Sequence, residues 1–284
     1  MLAKNSSLII EGGGLRGIFA AGVIDCLLDN NIFFSHCIGV SAGACHACSY
    51  VSRQRGRAYD VSVDYLHFKG YGSWSSLIRN GDFFSPDLLY NKIPNELNLY
   101  DYRAAKDSGT VFQTVITNCI TGKAEYPTVA FTPQDMIYIN ASSSLPLFAN
   151  TIKINGKPYL DGGIADSIPV KYVYDCGYRK NLAVLTQPKG YVKQLSRALP
   201  LIRRKYTQYP KLIEAMANRH TVYNETLKFI EKQEADGELF VIRPASPIDI
   251  GRIEKNKKKL KTAYESGYYE TKNRINMLKS FFNK

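Results

Sequence analysis

Three short glycine-centred stretches carry the residue types that acyl-transfer chemistry needs. The sharpest is Gly39-Val40-Ser41-Ala42-Gly43, which fits the nucleophile elbow G-x-S-x-G and falls between a predicted strand over residues 36–40 and a predicted helix over 42–51. Such a turn forces the serine into a strained backbone, so its neighbours two positions away must lack bulk. The hydroxyl then stands at a helix start, where free N–H groups and the dipole favour a developing anion.

Gly12-Gly13-Gly14-Leu15-Arg16-Gly17 occupies another strand-to-helix junction. Consecutive glycines leave backbone N–H groups unshielded. If the two strands are neighbours in one parallel sheet, the N–H groups of Gly13, Gly14 and Ala42 converge beside Ser41 on a tetrahedral intermediate. The third stretch is Leu160-Asp161-Gly162-Gly163. Alone, an aspartate before two glycines is a turn. Beside an elbow serine, Asp161 becomes a candidate general base, with Asp166 a second candidate that also reads as a helix cap before Pro169.

Rival readings weigh less. Histidine is the usual partner of a serine nucleophile, but none of His36, His46, His67 and His220 has a catalytic setting in the sequence. Ser41, Asp161 and His220 follow the chain order of an α/β-hydrolase triad, yet in that fold several strands precede the elbow and here one does. Gly12, Gly14 and Gly17 also satisfy G-x-G-x-x-G. A dinucleotide site needs an acidic residue at the end of the second strand, where this chain has Val40-Ser41; Asp29 precedes that strand. Cys45-His46-Ala47-Cys48 lacks the second pair that a structural zinc site requires, so it reads as core packing and no metal is expected.

The elements that must position these groups alternate. Residues 7–10 read as a buried strand and 15–29 as a helix by apolar recurrence at three and four. Residues 111–120 and 136–140 read as strands, and 151–160 as a hairpin about Asn155-Gly156. Residues 182–186 and 238–242 read as further strands, with helices around 211–234 and 252–282. This alternation implies an α/β layered fold with a largely parallel sheet. No repeat or linker divides residues 1–284, so one domain is expected.

Composition sets the outer bounds. With 284 residues, 45% hydrophobic and including 13 Phe and 20 Tyr, the chain can bury a large core, which excludes disorder. No apolar run approaches the roughly 18 residues of a membrane-spanning helix. The apolar stretch over residues 7–10 is too short for a signal-peptide core, so a cytoplasmic protein is expected. The six cysteines mostly sit in apolar segments, which argues against a disulfide framework. Of the net charge of +12, almost all lies late: residues 1–188 hold 16 Lys and Arg against 15 Asp and Glu, and residues 189–284 hold 21 against 10.

With these motifs in this order, together with Ala141-Ser142-Ser143-Ser144-Leu145-Pro146, the sequence resembles the patatin-like phospholipases over residues 7–188, and looks most like the bacterial cytoplasmic branch of that family of lipid acyl hydrolases. The resemblance implies a three-layer α/β/α fold with a mostly parallel central sheet. It implies Ser41 as nucleophile, Asp161 as base without histidine, and an oxyanion hole from Gly13, Gly14 and Ala42. Gly12, Leu15, Arg16, Gly17, Gly39, Gly43, Gly162 and Gly163 complete the motifs; Arg16 either holds the loop or covers the helix surface. The implied substrate is a lipid ester, cleaved by a phospholipase A, lysophospholipase or carboxylesterase, with no cofactor.

A carboxylate can take the serine proton when burial lifts its pKa from about 3.9 towards neutrality. Residues 189–284 match the family less clearly. Their basic excess, with clusters Arg203-Arg204-Lys205 and Lys257-Lys258-Lys259, suits peripheral contact with an anionic membrane. Apolar positions Ile253, Leu260, Tyr264, Ile275 and Leu278 suit packing on the body, and no spacing supports nucleic-acid recognition. Oligomeric state is not encoded legibly. The competing class is a non-catalytic nucleotide- or lipid-binding α/β protein in which Ser41 is a turn residue.

Overall fold

Apolar residues crowd both faces of the first strand, as a parallel sheet covered on both sides demands. Leu8 and Ile10 enter one core and Ile9 the other. The structure, a computed structural model, describes residues 2–68, 70–251 and 254–283. Its first half runs β1 (Leu2–Ile10), α1 (Ile18–Asp29), β2 (Phe33–Gly39), α2 (Ala42–Val51), α3 (Arg57–Val63), α4 (Trp74–Asn80), α5 (Tyr102–Asp107), β3 (Val111–Thr114), β4 (Ile116–Asn118) and β5 (Ala124–Glu125). The second runs α6 (Met136–Ser143), β6 (Ile152–Ile154), β7 (Lys157–Asp161), α7 (Val170–Asp175), β8 (Asn181–Val184), α8 (Leu199–Lys205), α9 (Pro210–Ala235), β9 (Leu239–Ile242), α10 (Lys257–Asn273) and α11 (Ile275–Asn283).

Five strands form a parallel sheet in the order β3-β2-β1-β8-β9. One face packs on Phe19, Val23 and Leu27 of α1 and Tyr50 of α2, the other on Val173 of α7 and on Tyr223 and Ile230 of α9. The result is the expected α/β/α layering. A smaller antiparallel sheet, β5-β4-β7-β6, stands beside it. Its β6–β7 hairpin turns at Asn155 (φ 49°) and Gly156 (φ 77°), the two positive φ values a type I′ turn needs.

Two strand expectations are corrected. Residues 136–140 lie in helix α6, because Asp135 accepts both the backbone N–H and the hydroxyl of Thr132 in a capping box, and Met136 and Ile139, three apart, turn into one core. Residues 111–120 are two strands, since the chain leaves the parallel sheet at Val115 and pairs antiparallel with β7. Asp166 caps no helix: Pro169 holds the position before α7, while Asp166 accepts the Ile168 N–H at 3.3 Å and the Tyr126 hydroxyl at 2.9 Å. Ile253 lies outside the described residues, and α10 opens at Lys257 behind Asn256, whose side chain accepts from Lys258 and Lys259.

Helix α10 lies on α1 with backbones in contact. A Cβ on Gly22 would come 1.9 Å from the Tyr264 carbonyl oxygen, and one on Gly267 2.0 Å from that of Phe19. Only glycine fits either position. The Tyr264 hydroxyl also donates to Asp25 at 2.7 Å. Among the described residues no helix is long and apolar enough to cross a membrane.

Candidate active site

Ser41 links β2 to α2 at φ 55° and ψ −125°, a conformation that costs a serine energy and must be imposed by its surroundings. The imposing contacts are backbone ones. A Cβ on Gly39 would come within 2.6 Å of the Ala44 backbone, and one on Gly43 within 2.6 Å of the Ile10 carbonyl oxygen. The Ser41 N–H donates to Ser142 Oγ at 2.9 Å, which gives the Ala141–Pro146 motif a physical task.

The Ser41 hydroxyl donates to Asp161 Oδ2 at 2.6 Å, 120 residues away in the chain. Asp161 ends β7, where its other carboxylate oxygen accepts the Gly163 N–H at 2.8 Å and its carbonyl accepts the Thr117 hydroxyl at 2.9 Å. A Cβ on Gly162 would lie 2.0 Å from the Val115 carbonyl oxygen, so only glycine lets the loop after Asp161 turn there. Both side chains are buried, at 6% and 2% exposure.

The glycine loop lies against this elbow because β1 and β2 are parallel neighbours. A Cβ on Gly12 would meet the Val40 carbonyl oxygen at 2.9 Å and Ser41 Cβ at 3.1 Å; one on Gly17 would meet Ala42 Cβ at 3.0 Å. Gly14, at φ 56°, opens a 3₁₀ turn over Gly14–Gly17, and Ala42 opens α2. N–H groups at helix starts have no carbonyl one turn earlier to bond. Arg16, whose Nε is buried without a hydrogen bond in the described residues, borders a polar cavity.

Ser41 borders two unlike cavities. One, of about 160 Å³, is walled by Leu15, Ile18, Tyr71, Phe84, Ile93 and Ile139. The other, of about 60 Å³, is bordered by Gly13, Arg16, Asp161, Lys193 and Arg219.

Two residues of α9 hold the glycine loop and the Asp161 loop, and sequence reasoning missed them. Tyr223 donates to Glu11 Oε1 at 2.6 Å, while Glu11 Oε2 accepts the Thr186 N–H at 2.6 Å, so the buried carboxylate that precedes the glycine loop is held from two sides. One turn earlier, Arg219 donates through Nε to the Gly163 carbonyl and through a terminal nitrogen to Ser167 Oγ at 3.4 Å. With partners 212 and 56 residues away, neither leaves a local signal.

Other titratable groups stand in structural settings. His36 bonds Ser7 at 2.6 Å and Gln113 at 2.9 Å and stacks on Tyr178; burial lowers its pKa. Burial pushes His46, in the wall of the apolar cavity, down to about 4. His67 is exposed. Cys45 touches Ser143 at 3.4 Å, and burial pushes the Cys48 thiol up to about 12. Burial also raises Asp166, which lies on Tyr126.

Comparison with known proteins matches residues 8–174 to the family Patatin-like phospholipase and residues 209–283 to a Domain of unknown function (DUF6363). An Escherichia coli (strain K12) protein named Uncharacterized protein YjjU is 30% identical over 251 residues, covering 85% of this chain and 69% of that protein. Lysophospholipase NTE1 of Yarrowia lipolytica is 29% identical over 260 residues, covering 85% of this chain, and the chain spans only 17% of that relative's length. The crystal structure of VipD from Legionella pneumophila superposes with a TM-score of 0.54 at 12% identity, covering 96% of this chain and 67% of that one, a likeness of fold. Arg219 and Tyr223 fall inside the second match.

Proposed function

The chain belongs to the patatin-like phospholipase family, and on that premise we propose that it is a lipid acyl hydrolase working through a Ser41–Asp161 dyad. The 2.6 Å hydrogen bond from the Ser41 hydroxyl to a buried carboxylate, made at an elbow with positive φ, carries this reading. An acyl chain enters the apolar cavity and sets its ester carbonyl beside Ser41 Oγ, and the alcohol portion points to the polar cavity.

Ser41 Oγ attacks the carbonyl carbon while its proton passes to Asp161. The N–H groups of Gly13, Gly14 and Ala42 receive the charge on the oxyanion. As the tetrahedral intermediate collapses, the C–O bond to the alcohol breaks and Asp161 returns the proton to the leaving oxygen. Water then attacks the acyl-enzyme, gives its proton to Asp161 and releases the fatty acid, with the proton returned to Ser41 Oγ. Glu11 and Arg219 keep the two loops in register during both halves.

The test is labelling with a fluorophosphonate ester alongside hydrolysis of phospholipid, monoacylglycerol and short aryl esters. Wild type should be labelled at Ser41 and should hydrolyse at least one ester class; Ser41→Ala should lose both. An unlabelled wild type that binds lipid without hydrolysis would leave the non-catalytic binding class standing instead.

A further inference from the structure

A short excursion sits over the apolar cavity. Gly72 and Phe84 are bridged antiparallel, so residues 73–83 project as a closed unit, and the residues at its base, Tyr71 and Phe84, pack edge-to-face at 5.7 Å in the cavity wall. The unit is held in shape. Ser73 caps α4 by accepting the Ser76 N–H, Gly81 ends it at φ 79°, and Asn150 donates to Asn80 O at 2.7 Å and Asp82 at 2.8 Å. Yet it leaves Trp74, edge-on to Phe83 at 5.3 Å near the base, 60% exposed and Ile78 of α4 84% exposed.

This unit shares a rim with α8. Trp74 rests on Phe148 at 6.0 Å; Phe148, with Ala198 and Ile202, lines a cavity that reaches Asp161, and the Leu147 N–H donates to the Tyr206 hydroxyl at 3.3 Å. Beside these contacts α8 exposes Leu201 and ends in Arg203, Arg204 and Lys205. All three cations are exposed and make no ion pair among the described residues. The basic cluster of α10 differs: Lys257 is paired with Asp64 at 3.3 Å and Lys259 with Asp249 at 2.7 Å, which leaves Lys258 alone of its three without an ion pair among the described residues.

We propose that the rim formed by the α4 unit and α8 docks on an anionic lipid bilayer. Trp74, Ile78 and Leu201 enter the headgroup–acyl boundary, where an amphipathic indole is at home, while Arg203, Arg204 and Lys205 meet lipid phosphates. Apolar tips and unpaired cations on one rim complement such a surface on both counts, and the rim is continuous with the cavities at Ser41 and Asp161. The inference rests on the acyl-hydrolase reading, which makes a bilayer the source of substrate. It moves the docking charge expected of the whole basic third to α8 and away from α10.

Trp74 is the single tryptophan of the chain, so its emission reports this rim alone. The Ser41→Ala protein would be mixed with vesicles of phosphatidylglycerol and phosphatidylcholine in equal parts, and with phosphatidylcholine alone. Anionic vesicles should shift the emission to the blue and shield it from acrylamide, and added salt should reverse both. Arg203→Gln, Arg204→Gln and Lys205→Gln together should weaken partition about a hundredfold, at about fivefold per charge. Ile78→Ser should weaken it further, whereas Lys257→Gln with Lys259→Gln should leave it unchanged. In an active background these variants should keep full hydrolysis of a soluble short-chain ester. Unshifted emission, equal response to both vesicles, or loss of partition from the α10 variants instead of the α8 ones would overturn the docking surface. Docking by a wild type that takes no fluorophosphonate label and hydrolyses none of the three ester classes would strike the hydrolase reading and leave the surface.

Discussion

Ser41 and Asp161 meet across 2.6 Å, yet they stand on unlike frameworks. Ser41 closes a strand of the five-stranded parallel sheet, buried on both faces and fixed by backbone packing at Gly39 and Gly43. Asp161 ends a strand of a small antiparallel sheet whose strands are two to five residues long, and its loop is steadied by side chains: Thr117 from the same sheet and Arg219 from α9. Ser41 is held by the fold itself. Asp161 is steadied by hydrogen bonds that single substitutions can remove, so the two sides of the proposed dyad should respond differently to perturbation.

The largest expected effect tests whether they are one machine. Ser41→Ala and Asp161→Asn should each lower kcat/KM by roughly a thousandfold or more, with the double variant little worse than either. Losses that multiply would separate the two residues. Next comes the oxyanion loop, where Gly14→Ala should cost on the order of a hundredfold in kcat. Because Gly14 sits at φ 56°, alanine should also lower the folding free energy by about 1 kcal/mol, measurable by urea denaturation. Gly13→Ala must push against the Thr186 side chain at 2.9 Å, a contact too close to leave the fold untouched.

Removing the support of the base should be milder. Arg219→Gln and Thr117→Ala should each reduce kcat about tenfold at nearly constant KM, and combined they should be less than multiplicative because both act through one loop. If instead they raise KM alone, the base loop is steadied by other contacts. Smaller still, and confined to stability, is the pH response of His46. Its folded pKa of about 4 lies below the unfolded value near 6.5, so the unfolded chain binds the proton first as pH falls. Stability present above pH 6.5 should decline towards pH 4 by roughly 3 kcal/mol, and His46→Gln should flatten that slope in acid denaturation curves. Substituting His36, His67 or His220 by Gln should leave most of the activity; a thousandfold loss from His220→Gln would bring back a triad.

The same contrast governs what the sequence made legible. Helix α2 and the hairpin about Asn155-Gly156 stand where local chemistry put them, because an elbow and a two-residue turn are encoded within a few positions. The second strand and the glycine loop were readable for the same reason, whereas Asp161 stood out only beside the elbow serine and through the family resemblance. Residues 136–140 were not readable: Met-Ile-Tyr-Ile-Asn is a short apolar run with two β-branched isoleucines, and what makes it helical is the Thr132–Asp135 box ahead of it and packing on a distant core. Nor was the change of sheet at Val115, which depends on β7 arriving antiparallel. Ser142, Glu11, Arg219 and Tyr223 act only through partners remote in the chain, and their residue types are ordinary where they stand.

Helix α1 follows directly from the glycine loop and leaves the ribosome well before α10, but the surface it offers at Gly22 is completed only by Tyr264 and Gly267, more than two hundred residues later. Throughout that interval a nascent chain carries α1 with an open glycine seam. A fragment ending at residue 256 would hold Ser41, Asp161 and all of α9 and still lack the lid on this seam, so it should expose apolar surface to a dye such as ANS and be cut early by protease. A chain made in this order closes the seam only once α10 is in place.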